Sequence, residues 1–143
     1  MDFDERAAAE LLAGPHVGIF AVASMSGPPA AVPVWYSYTV GGRIWMITET
    51  TSRKRRLLER TGSATLVVDE VAPRTRYVSV ECELVDARPV TAEDQREMAS
   101  RYVPAGALDA YLATVAPNLP HEQRITLQPT RWRFADFGPA SAG

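Results

Sequence analysis

The sequence predicts a mainly β protein: a small closed antiparallel β-barrel of six to seven strands with peripheral helices. Three observations carry this. Short strand-type apolar runs recur at close spacing with turn residues between them, as in small barrels. Helix-type segments stand only before the first strand, in one crossover and between the late strands. At 143 residues and a formal charge of −2, the chain suits one domain, 1–143, that buries roughly 70% of its unfolded surface.

Residues 4–13 (DERAAAELLA) combine strong helix formers with acids in the first turn, and Gly14-Pro15 stops them. The run 16–25 (HVGIFAVASM) is apolar or small on both faces and reads as a buried strand. After the turn cluster Ser26-Gly27-Pro28-Pro29, residues 30–40 alternate, with Val32, Val34, Tyr36, Tyr38 and Val40 on one side. Pro33 cannot donate to a ladder, so this strand requires an edge or a bulge near its middle. Gly41-Gly42 signals a two-residue hairpin leading to a return strand at 43–49.

Thr51 or Ser52 can cap a helix whose apolar side is Leu57 and Leu58 and whose stop is Gly62. Strands follow at 64–69 and 76–86. Thr91 and Asp94 have capping-box spacing, and helical stretches run over about 92–102 and 106–116. A Pro-flanked loop at 117–122 leads to ITLQPTRWRFADF, one or two strands interrupted at Pro129.

Composition removes several function classes. Hydrophobic residues at 46% and charged ones at 22% exclude a disordered chain. The acidic balance argues against a nucleic-acid-binding barrel, although the basic run 53–56 is the feature such a barrel would use. No apolar run approaches the ~20 residues that span a bilayer. The start MDFDE is acidic where a secretory leader is basic, so a cytoplasmic protein is expected. One cysteine, Cys82, excludes an internal disulfide and reads as a small buried residue. His16 and His121 have no partner at metal-ligand or triad spacing, so no metal site is expected.

The basic residues are uneven: among 15 there is a single lysine, Lys54. It falls in the sharpest motif, Thr48-Glu49-Thr50-Thr51-Ser52-Arg53-Lys54, where a strand end and a short loop lead to Ser-Arg-Lys at a helix start. A helix N-terminus offers unpaired N–H groups and a partial positive charge, so it suits phosphate. Arg53 and Lys54 add full charges and Ser52 a hydroxyl. Cations at this end are otherwise electrostatically unfavourable, which favours an anionic ligand.

The run from Ile44 to Leu58, IWMITETTSRKRRLL, resembles the phosphate-binding stretch of the pyridoxamine 5′-phosphate oxidase family, the FMN-binding split barrels. In that family a strand ends in an aromatic or aliphatic residue plus Thr, and Ser-Arg-Lys opens a helix four residues later. Ile47, Thr48, Ser52, Arg53 and Lys54 fall on those positions. Arg76–Glu81 and Pro33–Tyr36 (PVWY) resemble two further family strands, so the likeness covers roughly residues 16–90. It implies cofactor contacts from Val34, Trp35, Tyr36, Ile47, Thr48, Ser52, Arg53, Lys54 and Tyr77. Residues beside Pro33 break the ladder and can leave N–H groups free for flavin ring atoms. Packing at a dimer interface is the other reading of Trp35 and Tyr36.

The departures are specific. Ala31 and Tyr36 stand where the oxidase proper has Arg and Lys, and Tyr77 where a Gln faces the flavin. The C-terminal Arg-Leu-His-Asp-Arg motif is absent, the chain reading TRWRFADFG there. The resemblance therefore implies an FMN-dependent oxidoreductase that is not a vitamin B6 oxidase. It would act on a small molecule as a homodimer, with the cofactor at the subunit interface. The alternatives are a deazaflavin (F-420)-dependent reductase and, from another class, a non-catalytic flavin- or haem-binding protein. No residue is assigned as an acid or base.

Overall fold

The computed structural model describes residues 3–140; Met1 and Asp2 of the acidic start lie outside them. Helix α1 (Phe3–Ala13) places Ala8, Ala9, Leu11 and Leu12 in the core, an apolar stripe at helical spacing. Strands β1 (Gly18–Val22), β2 (Ala30–Val34), β3 (Ser37–Tyr38) and β4 (Ile44–Glu49) follow. Next come helix α2 (Arg53–Thr61) and the long strands β5 (Ser63–Glu70) and β6 (Arg74–Pro89). Helices α3 (Ala92–Ser100) and α4 (Leu108–Val115) and a 3₁₀ segment (Ala116–His121) precede β7 (Glu122–Pro139). The seven strands form one antiparallel sheet in the order β2-β1-β5-β6-β7-β4-β3, and the fold is the split barrel the sequence predicts.

The two edges of that sheet, β2 and β3, are consecutive in the chain, so only Trp35 and Tyr36 separate them. The single strand expected over 30–40 is thus two strands on opposite edges, with Pro33 on an edge, where its missing N–H costs nothing. Side chains close the gap that no ladder crosses. The N–H of Tyr36 donates to the hydroxyl of Tyr102 at 3.1 Å, and Arg101 Nε donates to the Tyr36 carbonyl at 3.0 Å. The Tyr102 hydroxyl lies 2.9 Å from the carbonyls of both His16 and Tyr36. The Tyr36 ring is fully buried, and its hydroxyl donates to the carbonyl of Leu12.

Three other local expectations change. Pairing between β3 and β4 ends at Tyr38–Ile44, and the turn closes Thr39 to Gly42 at 2.8 Å with Gly41 at φ 85°. The connection is therefore longer than a two-residue hairpin. β1 buries Phe20 and Val22 but leaves Ile19 44% exposed, because a strand of an antiparallel barrel buries one face. Pro129 does not interrupt the last strand. Pairing steps from Glu81–Arg131 to Cys82–Pro129, leaving Thr130 as the extra residue of a bulge, where its hydroxyl donates to the Glu81 carbonyl. Cys82 is buried as expected, and burial pushes its thiol up to about 12. Among the described residues no helix is long and apolar enough to cross a membrane.

Helix α3 is pinned by one carboxylate. The capping box of Thr91 and Asp94 forms as its spacing predicts. The same Asp94 carboxyl also receives Arg88 at 2.7 and 3.0 Å and Arg124 at 2.9 Å. Arg124 in turn lies 3.9 Å over the Trp45 ring. Burial alone would raise this carboxyl, but the hydrogen bonds from Arg88, Thr91 and Arg124 outweigh it and hold it well below the usual carboxylate range. A depressed folded-state value means the stabilisation is complete above the unfolded value near 3.9 and is lost as pH falls below it. Asp94→Asn should cost about 2–3 kcal/mol at pH 7, at the low end for a buried pair because Arg88 is partly solvated. That corresponds to a fall in Tm of roughly 5–10 °C, with a shallower loss of Tm between pH 5 and 2 than in the parent. Calorimetry at several pH values checks both, and parallel acid limbs would remove Asp94 from this role.

Candidate functional site

Helix α2 begins where the sequence punctuates it. Ser52 is the N-cap, its hydroxyl accepting from the Arg55 N–H at 3.2 Å, and Gly62 ends the helix at φ 72°. Leu57 and Leu58 bury the inner face. The Thr48 hydroxyl lies 3.1 Å from that of Ser52, so the end of β4 fixes the cap. Thr48 is itself buried and acts on the site only through Ser52. In the first turn, the N–H groups of Arg53 and Lys54 have no partner within the helix.

The cations on this helix divide into two kinds. Arg55, which the sequence places within a basic run, turns inward and is only 8% exposed, with Nε donating to Gln123 Oε1 at 2.9 Å. Its Nη1 lies 3.9 Å from Glu59 and has no hydrogen-bond partner. Arg53 and Lys54 point outward and have no carboxylate partner among the described residues. Arg53 reaches only the hydroxyl of Ser24, at 3.4 Å.

Two clefts meet at Lys54. One, of about 360 Å³, lies between Ser52, Arg53 and Lys54 and the β2 stretch from Pro29 to Val32. The other, of about 250 Å³, has Val34, Trp35 and Ile47 on its strand side. Its opposite wall comes from α3, α4 and the start of β7, through Gln95, Met98, Tyr111 and Glu122. Trp35 stacks on Tyr102 at 4.7 Å and 9° and leans on Tyr111 at 5.7 Å, so it is held as a fixed wall.

The structure thus brings Val34, Trp35, Ile47, Ser52, Arg53 and Lys54 around two clefts that share Lys54. It does not bring Tyr36 there. Its side chain is sealed under α1, and its N–H and carbonyl are taken by Tyr102 and Arg101, so neither ring nor backbone lines either cleft. Tyr77 lies outside both clefts, on the outer face of β6 beside Phe137, and is 38% exposed. The helical wall was not among the expected site residues. Its only sequence signal is the i, i+3, i+4 spacing of Gln95, Met98 and Ala99, which any packed helix shows. Among the described residues no group of three or more His, Cys, Asp or Glu is placed to hold a metal.

The model of the family described as pyridoxamine 5′-phosphate oxidase matches residues 4–136. The chain belongs to that family. Solved structures share the fold at low identity. One titled F420 reductase is 20% identical, with a TM-score of 0.64 over 87% of this chain and 94% of that one. A FAD-binding protein from Mesorhizobium loti is 14% identical, with a TM-score of 0.65 over 92% and 93%. A heme binding protein from Mycobacterium smegmatis is 18% identical, with a TM-score of 0.63 over 94% of this chain and 55% of that one. No curated protein sequence matches this one.

Proposed function

We propose that the protein is an FMN-dependent oxidoreductase that grips the cofactor phosphate at the start of α2. One observation carries this reading: Lys54 and Arg53 stand without carboxylate partners at a capped helix start, where the two clefts meet. The donor set fits the group, since first-turn N–H groups, an ammonium and a guanidinium all favour a phosphate dianion. From that anchor the ring would extend along β2 toward Val34 and Trp35, over Ile47. A bound flavin supplies the redox chemistry, while the chain binds it, orients it and walls it from water.

A deazaflavin coenzyme is the second reading, and a specific feature favours it. With Ala31 lining the cleft and Tyr36 turned inward, β2 offers no charged side chain beside the phosphate site, which leaves room for a differently seated cofactor. Titration of the flavin-free protein with FMN and with F420 separates the two, and clear preference for FMN removes this one.

The proposal includes a homodimer with the cofactor at the subunit interface. Val17, Ile19, Tyr77 and Phe137 are 54%, 44%, 38% and 72% exposed. The ladder sets Ile19 beside Pro33 and Val67, and Tyr77 beside Ala135, on the outer face. Ile19 with Val67, and Tyr77 with Phe137, form exposed apolar patches with Asp69 and Ser79 beside them on that face, a surface of the kind a partner covers. Sedimentation at micromolar concentration should give twice 15.6 kDa; a monomer mass would remove the dimer.

Lys54→Ala should weaken FMN binding roughly tenfold to a hundredfold, the worth of one charge-assisted hydrogen bond. The fold should be unaffected, since Ala is a good helix former and Lys54 holds no ion pair or side-chain hydrogen bond among the described residues. Lys54→Arg should also lose affinity, because a planar fork replaces a compact ammonium. Riboflavin, which lacks the phosphate, should respond to neither change. Equal weakening of FMN and riboflavin would contradict the phosphate assignment.

A further inference from the structure

The helical wall of the smaller cleft carries polar groups that a phosphate anchor does not use. Gln95 is 6% exposed, and its Nε2 donates to the Val115 carbonyl at 3.2 Å and to Glu122 Oε1 at 3.0 Å. With both amide hydrogens committed, the amide oxygen remains to accept. Glu122 Oε2 has no donor among the described residues. Tyr111 lines the same wall, and burial together with the Glu122 charge raises its phenol, so it stays neutral. Glu122 is the one acid on the cleft, and Lys54, at the end shared with the larger cleft, is the one cation.

The cleft is therefore asymmetric. At the helical end Gln95 and Glu122 line it beside the touching Trp35 and Tyr111 rings, and each carries an acceptor oxygen with no donor among the described residues. That end attracts N–H donors and disfavours carboxylate and phosphate, which Lys54 favours at the opposite end of the cleft. Trp35 and Tyr111 touch, with ring centroids 5.7 Å apart, and together present one aromatic side against which a flat ring can lie. A volume of about 250 Å³ lies below the roughly 300–1,000 Å³ of drug-sized pockets, so it takes a small heterocycle or one end of a longer ring system.

We propose that Gln95, Glu122, Trp35 and Tyr111 form a recognition site for a flat nitrogen heterocycle that presents amino or ring N–H donors to Glu122 and Gln95. The site stands on this wall alone and holds whether or not the Lys54 reading does. Its ligand has two sources: the N–H edge of a bound flavin, or a separate substrate carrying an amino or protonated ring nitrogen.

The test is calorimetric titration of the full-length Lys54→Ala protein, which removes the cation at the other end of the cleft, with 2-aminobenzimidazole and with benzimidazole-2-carboxylate, which shares the ring and reverses the charge preference. The FMN arms use the parent protein. The amine should bind at least about tenfold more tightly than the acid, the scale of one charged hydrogen bond. Glu122→Gln, which keeps an acceptor for Gln95, should weaken the amine by about tenfold with an unchanged far-UV spectrum. Tyr111→Leu, on the surface helix α4, should weaken it severalfold and serves where Glu122→Gln disturbs the fold. Saturating FMN that blocks the amine identifies the flavin edge as the source, and undiminished amine binding beside bound FMN identifies a separate substrate. The proposal is overturned if the acid binds as well as the amine, if the amine does not bind, or if its affinity ignores both substitutions. Failure of FMN to bind at all would remove the phosphate reading and leave the amine result standing.

Discussion

Closure of the barrel across Trp35 and Tyr36 is the constraint on which the rest of the molecule depends. The two edge strands are neighbours in sequence and opposite in the sheet, so two residues must span a gap that no backbone ladder bridges. Buried N–H and carbonyl groups there need partners, and leaving one unmet costs about 1–3 kcal/mol. The end of α3 supplies them, through Tyr102 to both Tyr36 backbone groups and through Arg101 to the carbonyls of Ala13, Gly14 and Tyr36. That requirement brings the end of α3 to Tyr36, stacks Tyr102 on Trp35, and so places the helical wall of the smaller cleft. The Asp94 cluster holds the other end of the same helix. Closure and cleft are one structural event.

Charge pairing separates structural cations from available ones. Arg74, Arg76, Arg88, Arg124 and Arg131 pair with carboxylates across strands or helices. Such pairs, where exposed, add little stability, but they mark the cations that are already committed. Arg53 and Lys54 are not, and they stand where a helix dipole already disfavours cations. An arrangement that costs energy in the free chain, beside a groove, is understandable when an anion completes it. The lone lysine borders both clefts.

What the sequence made legible was local. The Ser52 cap, the Gly62 stop, the Thr91–Asp94 capping box and the edge position of Pro33 follow from residue types at fixed spacing, and each stands where that spacing places it. The Thr48–Lys54 stretch was legible as strand end, loop and helix start for the same reason, since the three are contiguous. What escaped depends on distant partners. Alternation over 30–40 gave no sign that Tyr36 turns under α1 or that the strand divides there, because its partners lie up to 66 residues away. Arg55 reads as one more surface cation until Gln123, 68 residues on, draws it inward. Gln95 and Glu122 meet only once the chain has closed. Ile19 looked like core because composition alone cannot tell a two-faced buried strand from one whose outer face remains open.

The claim on which the functional account rests is where the phosphate sits. A crystal structure of the protein grown with FMN decides it most directly. The account requires the phosphate within hydrogen-bond distance of Lys54 Nζ and the first-turn N–H groups of α2, with the ring running along β2 toward Trp35. A phosphate bound elsewhere, with Lys54 and Arg53 extended into solvent, would contradict it.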